Sequence, residues 1–172
     1  MERAQQARPN DRSDQSSFRM KSIPIASYPR VGVKVIHTGD TIERITLFLS
    51  SEFTLTCPSK KVRDTLVPWL KNYAQGKWTP FPLPPYRTPF AQKAAHYLQS
   101  TLPGKLLSYK ELAEAIGHPG AARAIGRFCS GNLFPLLTPC HRVIPSGGGL
   151  GRFTPDPRIK QQLLHFEGIT SI

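Results

Sequence analysis

Ser108-Tyr109-Lys110-Glu111-Leu112-Ala113-Glu114-Ala115-Ile116-Gly117-His118-Pro119-Gly120-Ala121-Ala122-Arg123-Ala124-Ile125-Gly126-Arg127-Phe128-Cys129 is the stretch on which the fold turns. Ser108 with Glu111 three residues on is a capping box, so a helix opens at Tyr109 and runs to Ile116. Gly117-His118-Pro119-Gly120 breaks it, and Ala121 to Cys129 forms a second helix. Two short helices across a tight turn, in a basic chain, predict a helix-turn-helix. Upstream, Thr88-Pro89 is an N-cap followed by proline at the first helical position. That helix runs to about Leu98 and stops at Leu102-Pro103-Gly104. Downstream, Gly147 to Gly151 can serve as a wing. A last helix spans Asp156-Pro157 to Glu167, with Gly168 as its stop signal.

The first half reads differently. Val31 to Ile36 is β-branched and partly alternating, Thr38-Gly39-Asp40 is a turn signal, and Thr41 to Leu49 is again strand-like. Glu52 to Cys57 adds a third short strand. Val62, Leu66, Trp69, Leu70 and Tyr73 are at helical spacing. Pro68 lies inside that run, so the helix is expected to begin near it or to kink there. Thr79 to Pro85 is proline-rich and extended, either a mobile tether or a linker packed along the surface. The fold class expected is α/β (α+β): a small N-terminal antiparallel-sheet domain and a mostly helical C-terminal winged helix-turn-helix domain. The divisions are a disordered tail at 1–20, an N-terminal domain with linker at 21–85, and a C-terminal domain at 86–172. Translation starting at Met20 is a further expectation.

Across 172 residues the net charge is +12. The excess is spread out: four cations face three anions in 1–20, nine face four in 21–85, and ten face four in 86–172. Such a chain attracts polyanions, with nucleic acid the commonest partner and plain solubility the bland alternative. No basic amphipathic helix is long enough to favour a membrane surface, and no apolar run reaches the ~20 residues of a membrane span. Cys57, Cys129 and Cys140 are odd in number and lack metal spacing. No metal, no cofactor and no disulfide scaffold are therefore expected. The compartment is a reducing one, cytoplasmic, or nuclear in a eukaryote.

Pro139-Cys140-His141-Arg142-Val143 joins a potential thiolate directly to a potential base. The thiolate is the nucleophile, and a free thiol titrates near pH ~8.5, so a cysteine needs help at neutral pH. A neighbouring histidine supplies it when a third group orients the ring. Glu167 is the candidate for that group.

These elements together resemble the O6-alkylguanine-DNA alkyltransferase family. The resemblance covers Thr88 to Gly168 and rests on Thr88-Pro89-Phe90, Ser108-Tyr109, Ala121-Ala122-Arg123-Ala124, Gly131-Asn132, Pro139 to Val143 and His165-x-Glu167-Gly168. It implies a DNA repair protein that moves a methyl or other alkyl group from O6 of guanine onto its own cysteine, once per molecule. Cys140 matches the acceptor. His141 would deprotonate it through a bridging water, and Glu167 would hold the far nitrogen of His141. Asn132 matches a residue tying the helix-turn-helix to the acceptor turn. Tyr109 matches one that donates toward the guanine ring. The carbonyls of Cys140 and Val143 would accept from the guanine amine. Cys129, Pro135, Phe153 and Thr154 would line the pocket. Arg123 would fill the gap left by a flipped base, beside the small Ala121 and Ala122, with Ser130 also at the DNA. The partner implied is duplex DNA carrying O6-alkylguanine, with O4-alkylthymine a second candidate lesion, and the protein acting as a monomer. The sequence departs from the pattern at Thr138, where an aliphatic residue is usual, at Cys129, where some relatives have a larger residue, and at Thr154, which replaces a serine.

Each residue also has a plainer reading. Cys140 can be a buried structural cysteine. His141 can be a core histidine bonded to Glu167, Arg123 a solvated helix charge, Tyr109 ordinary packing and Asn132 a turn residue. Two rival functions follow: a lesion binder of the same fold that transfers nothing, and a thiol hydrolase using Cys140, His141 and Glu167.

Overall fold

A computed structural model describes residues 22–172. The expectations of a disordered tail over 1–20 and of a start at Met20 lie outside the described residues.

Four strands form the first sheet: β1 (Ile23–Ala26), β2 (Val31–Thr38), β3 (Thr41–Leu49) and β4 (Phe53–Thr56), in the order β1-β4-β2-β3. β2 and β3 are the expected hairpin, joined at Gly39-Asp40. β1 pairs antiparallel with β4, whereas β4 lies parallel to β2, so the sheet is mixed. Val31, Val33 and Val35 are buried in alternation, as a half-covered strand requires. On β3 the alternation slips. Ile36 pairs with Arg44 but His37 pairs with Ile42, leaving Glu43 as an extra residue. That bulge lets Ile42 and Ile45 both face inward.

Helix α1 (Lys60–Ala74) covers this core with Val62, Leu66, Trp69, Leu70 and Tyr73. It begins at Lys60 and carries Pro68 in its interior, which corrects the expectation of a start near Pro68. Ser59 caps it nine residues before Pro68, accepting from the Val62 amide at 3.3 Å. Pro68 and Asp64 are both exposed. The carbonyl that Pro68 leaves without a donor therefore faces water, and the usual cost of an interior proline is reduced. Thr79 to Pro85 is a packed linker, not a mobile tether. Phe81 is buried, Trp69 Nε1 donates to the Thr79 carbonyl at 2.8 Å, and Gln99 Nε2 donates to the Phe81 carbonyl at 2.8 Å.

The second half holds α2 (Pro89–Ser100), β5 (Leu107–Ser108), α3 (Tyr109–Ala115), α4 (Ala122–Ser130), a 3-10 turn (Cys140–Arg142), β6 (Val143–Ile144) and α5 (Pro157–Phe166). The Ser108/Glu111 capping box is present in both directions. After α3, the Gly117 amide bonds the Glu114 carbonyl and the His118 amide bonds the Ala113 carbonyl. This pair of bonds closes the helix end, and Gly117 supplies the positive φ (79°) it needs. β5 and β6 pair in parallel. The Gly147–Gly151 segment follows β6 as a loop with no strand of its own.

The larger apolar cluster draws on both halves. Sheet and α1 residues pack with Phe134, Leu136, Leu137, Ile159 and Leu163. The Ile45 amide also donates to the Leu133 carbonyl at 2.8 Å. The sheet thus supports the very loop that leads to Cys140.

Candidate functional site

The cysteine opens the 3-10 turn. Its amide donates to the Thr138 carbonyl at 2.7 Å, and the Arg142 amide donates to the Pro139 carbonyl at 3.0 Å. Cys140 is 4% exposed. Asn132 Nδ2 donates to Cys140 Sγ at 3.1 Å and to the Thr138 carbonyl at 2.9 Å. Burial raises the Cys140 pKa, while Asn132 and the nearby Lys160 charge oppose that rise. The resting sulfur is therefore a thiol, held in contact with one amide donor.

His141 and Glu167 meet as expected, with Nε2 2.9 Å from Oε1. A carboxylate only accepts, so Nε2 carries the proton. In the neutral ring Nδ1 is then the basic nitrogen. Among the described residues, Nδ1 is the one buried side-chain nitrogen or oxygen without a hydrogen-bond partner. Burial lowers the His141 pKa, and Glu167 only partly reverses this, so the ring rests neutral with its lone pair free.

Glu167 is held by more than the histidine. Arg142 grips it with Nε on Oε2 at 2.9 Å and Nη2 on Oε1 at 2.8 Å. Tyr73, from α1, donates its hydroxyl to Oε1 at 2.8 Å. The Gly104 amide reaches Oε2 at 3.4 Å. Arg142 also bonds the Thr101 carbonyl and lies 4.0 Å from the Trp78 ring centroid. Glu167 sits at the C-cap of α5, where the helix dipole disfavours a carboxylate by ~0.3–1 kcal/mol. Burial also pushes its pKa up, but His141 and Arg142 outweigh burial and hold it well below the usual carboxylate range.

Lys160 is a further buried charge. Its Nζ donates to the Val143 carbonyl at 2.6 Å and to the Leu150 carbonyl at 2.7 Å, so it staples the glycine loop to the strand after the Cys140 turn. Burial brings its pKa down to about 8. The Val143 carbonyl, expected to meet the guanine amine, thus has one lone pair already engaged.

Around the sulfur, Tyr109, Cys129, Val143, Phe153 and Ala121 join one apolar cluster with Cys140. Burial raises the pKa of Tyr109 and of Cys129. Pro135 is half-buried in the turn before Leu136, and Thr154 is exposed. On α4, Arg123, Arg127 and Ser130 are exposed at spacings that share one helix face, opposite the buried Ile125, while Ala122 is half-buried. A groove of about 1010 Å³ lies away from the sulfur, between the β2–β3 hairpin and α4, with Arg44, Tyr86, Arg127 and Phe128 on its walls.

Sequence reasoning missed Tyr73, Trp78, Tyr86, Lys160 and the role of Arg142. Only Lys160 left a signal: it falls on the apolar face of α5 with Ile159, Leu163 and Leu164. Among the described residues no group of three or more His, Cys, Asp or Glu side chains converges as a metal site.

A buried thiol next in sequence to a neutral imidazole that a carboxylate orients, on a turn packed beside two short helices, is the arrangement of a sulfur nucleophile with a base at hand. Residues 89–169 match the DNA-binding domain of 6-O-methylguanine DNA methyltransferase. Over those residues, just under half of its length, the chain is similar to that family. It is 45% identical over 65 residues to human methylated-DNA--protein-cysteine methyltransferase, covering 38% of this chain and 31% of the human protein. It is 32% identical over 120 residues to the Saccharomyces cerevisiae protein of the same name, covering 65% of this chain and 64% of that protein. The matched stretches thus span less than two thirds of these curated relatives. The fold is similar to that of Mycobacterium tuberculosis OGT in complex with DNA, with a TM-score of 0.62 and 28% identity over 78% of this chain and 85% of that one.

Proposed function

We propose that this protein repairs alkylated duplex DNA by moving an alkyl group from O6 of guanine to Cys140, one transfer per molecule. One observation carries the reading: the Glu167 contact spends His141 Nε2 and leaves a buried, basic Nδ1 on the residue next to the thiol. The Cys140 proton passes to Nδ1 through a bridging water. A new Sγ–C bond forms as the C–O6 bond breaks, and its electron pair goes to the guanine, which takes the Tyr109 hydroxyl proton and leaves neutral; the imidazolium proton on His141 then returns to the Tyr109 phenolate through water. Sulfur then carries a thioether, which water does not readily release. Asn132 and Lys160 steady the thiolate, and Glu167 steadies the imidazolium. The relay loses no net charge, because the cation on His141 balances the anion on Cys140.

The target carbon is inside duplex DNA, so the base is flipped out, at a cost of a few kcal/mol. The exposed face of α4 supports this reading. Arg123 would enter the stack, with Ala121, Ala122 and Ser130 close to the backbone. Pro135, Phe153 and Thr154 would border the flipped base. Phosphate contacts dominate the affinity, so binding is salt-sensitive. The protein acts as a monomer, with O4-alkylthymine as a second substrate to test.

The test is stoichiometric. The protein is incubated with duplex carrying one O6-methylguanine, and the intact chain and its peptides are weighed. One methyl on the Cys140 peptide is expected. Tight binding at unchanged mass would point to a lesion binder, and repeated turnover to a hydrolase; either result overturns the proposal.

A further inference from the structure

We propose that Tyr86 and Thr138 are positioning residues that hold the Asn132 side chain as hydrogen-bond donor to the acceptor sulfur. The inference rests on the reading of Cys140 as acceptor, and it assigns work to two side chains outside the Cys-His-Glu relay.

The geometry fixes the direction of each bond. Asn132 uses both N–H groups, on the Thr138 carbonyl and on Cys140 Sγ. Its Oδ1 accepts from the Phe134 amide at 3.0 Å and lies 3.0 Å from the Tyr86 hydroxyl. The Tyr86 oxygen is also 2.9 Å from Thr138 Oγ1. Tyr86 has a single proton to give, and Oδ1 has none. Tyr86 therefore donates to Oδ1, and the Thr138 hydroxyl donates to the Tyr86 oxygen. Any other order sets two lone pairs against each other in a buried place, where an unmade hydrogen bond is costly. The result is a three-member chain, Thr138 to Tyr86 to Asn132, that ends on the sulfur. Each bond in such a chain polarises the next, so electron density drawn from the amide oxygen makes its N–H a better donor to a thiolate.

Both residues are anchored for this task. Thr138 is fully buried, and it stands where the sequence departs from an aliphatic pattern. A hydroxyl there is tolerated because it has a partner. The Tyr86 ring is held between Phe128 and Phe134, with centroids 5.6 Å away in each case. Burial pushes its phenol up to about 12, so it keeps its proton through the working range. Tyr86 closes the proline-rich linker. That linker thereby sets the electronics of the acceptor turn as well as joining two halves of the chain.

The test compares Tyr86→Phe, Thr138→Val, the pair together, and Thr138→Ser, which keeps the hydroxyl. Single-turnover transfer from an O6-methylguanine duplex is followed across pH, and melting is recorded separately. A net hydrogen bond of ordinary strength predicts a roughly three- to tenfold slower reaction for Tyr86→Phe at pH 7.5. Its rate–pH profile should move to higher pH, because the thiolate loses support. Thr138→Val should shift the profile the same way by less, and Thr138→Ser should restore the wild-type profile. The double variant should be no slower than Tyr86→Phe, since both act through one chain. An unmoved profile with only a lower melting point would overturn the proposal, as would losses that multiply. Should Tyr86→Phe fail to fold, Thr138→Val against Thr138→Ser decides, and identical profiles refute it. A wild-type chain with no adduct on Cys140 would instead remove the transfer reading itself.

Discussion

Replacing Glu167 by glutamine separates the two jobs of this carboxylate. Oε1 accepts from Tyr73, His141 and Arg142 Nη2, whereas Oε2 accepts from Arg142 Nε and weakly from Gly104. A carboxamide will keep its oxygen at the busier position and turn its NH2 toward Arg142 Nε and the Gly104 amide. His141 then keeps its tautomer. What is lost is a charge: the guanidinium, fully buried, faces no anion. Removing one partner of a buried ion pair costs ~3–5 kcal/mol. For a chain of this length, ~4 kcal/mol corresponds to a fall in melting temperature of roughly 8–16 °C. The imidazolium formed during transfer also loses its counter-ion, so single-turnover transfer should slow by about 10–100-fold. Urea unfolding and quenched-flow transfer, run on Glu167→Gln, Arg142→Met and the double variant, read both effects. The double variant should regain much of the stability, because it buries no unpaired charge, yet stay as slow as Glu167→Gln. A loss below ~1 kcal/mol in Glu167→Gln, or rates that recover with stability, would refute the assignment of charge to this cluster.

Acidification should cost the wild type more stability than it costs Glu167→Gln. Glu167 has a depressed folded-state pKa, so its contribution is present above the ordinary carboxylate range and is lost as pH falls below it. The His141 pKa is also depressed, and the unfolded chain binds that proton first, so stability declines further as pH drops below about 6.5. Urea midpoints from pH 7 to 3 should fall more steeply for wild type than for Glu167→Gln, and parallel curves would count against the statement on Glu167. Lys160→Met should slow transfer roughly tenfold at pH 7.5 by removing a cation that favours the thiolate; an unchanged rate would confine Lys160 to stapling the loop. Arg123→Ala should impair repair of duplex more than reaction with free O6-benzylguanine, and equal losses on both substrates would argue against base flipping.

The helical half was legible in the sequence because its signals are local. The Ser108/Glu111 box, Thr88-Pro89 and Asp156-Pro157 each act within one turn, so a few consecutive residues suffice to read them. The start of α1 was not legible from Pro68, because the cost of an interior proline depends on which way the helix faces, and no local pattern states that. Cys140, His141 and Glu167 could be placed together only by resemblance, since spacing alone does not join residues 26 positions apart. Tyr73 was out of reach altogether. Its hydroxyl meets Glu167 across 94 residues of chain, through the packing of α1 against the turn and α5. Trp78 and Tyr86 likewise take their roles from where the linker lies, and a proline-rich composition says only that it is extended.

That hydroxyl has a practical corollary for anyone trimming this protein. A fragment cut after the linker would keep the helix-turn-helix, the thiol and the imidazole, and would look complete on paper. It would lack Tyr73 on Glu167, the Trp78 lid over Arg142, and the sheet that shelters Leu136, Leu137 and Ile159. Such a piece would carry every residue of the relay while giving up the scaffolding that keeps it aligned. The amino-terminal half is better regarded as the back wall of the reaction chamber than as an appendage to it.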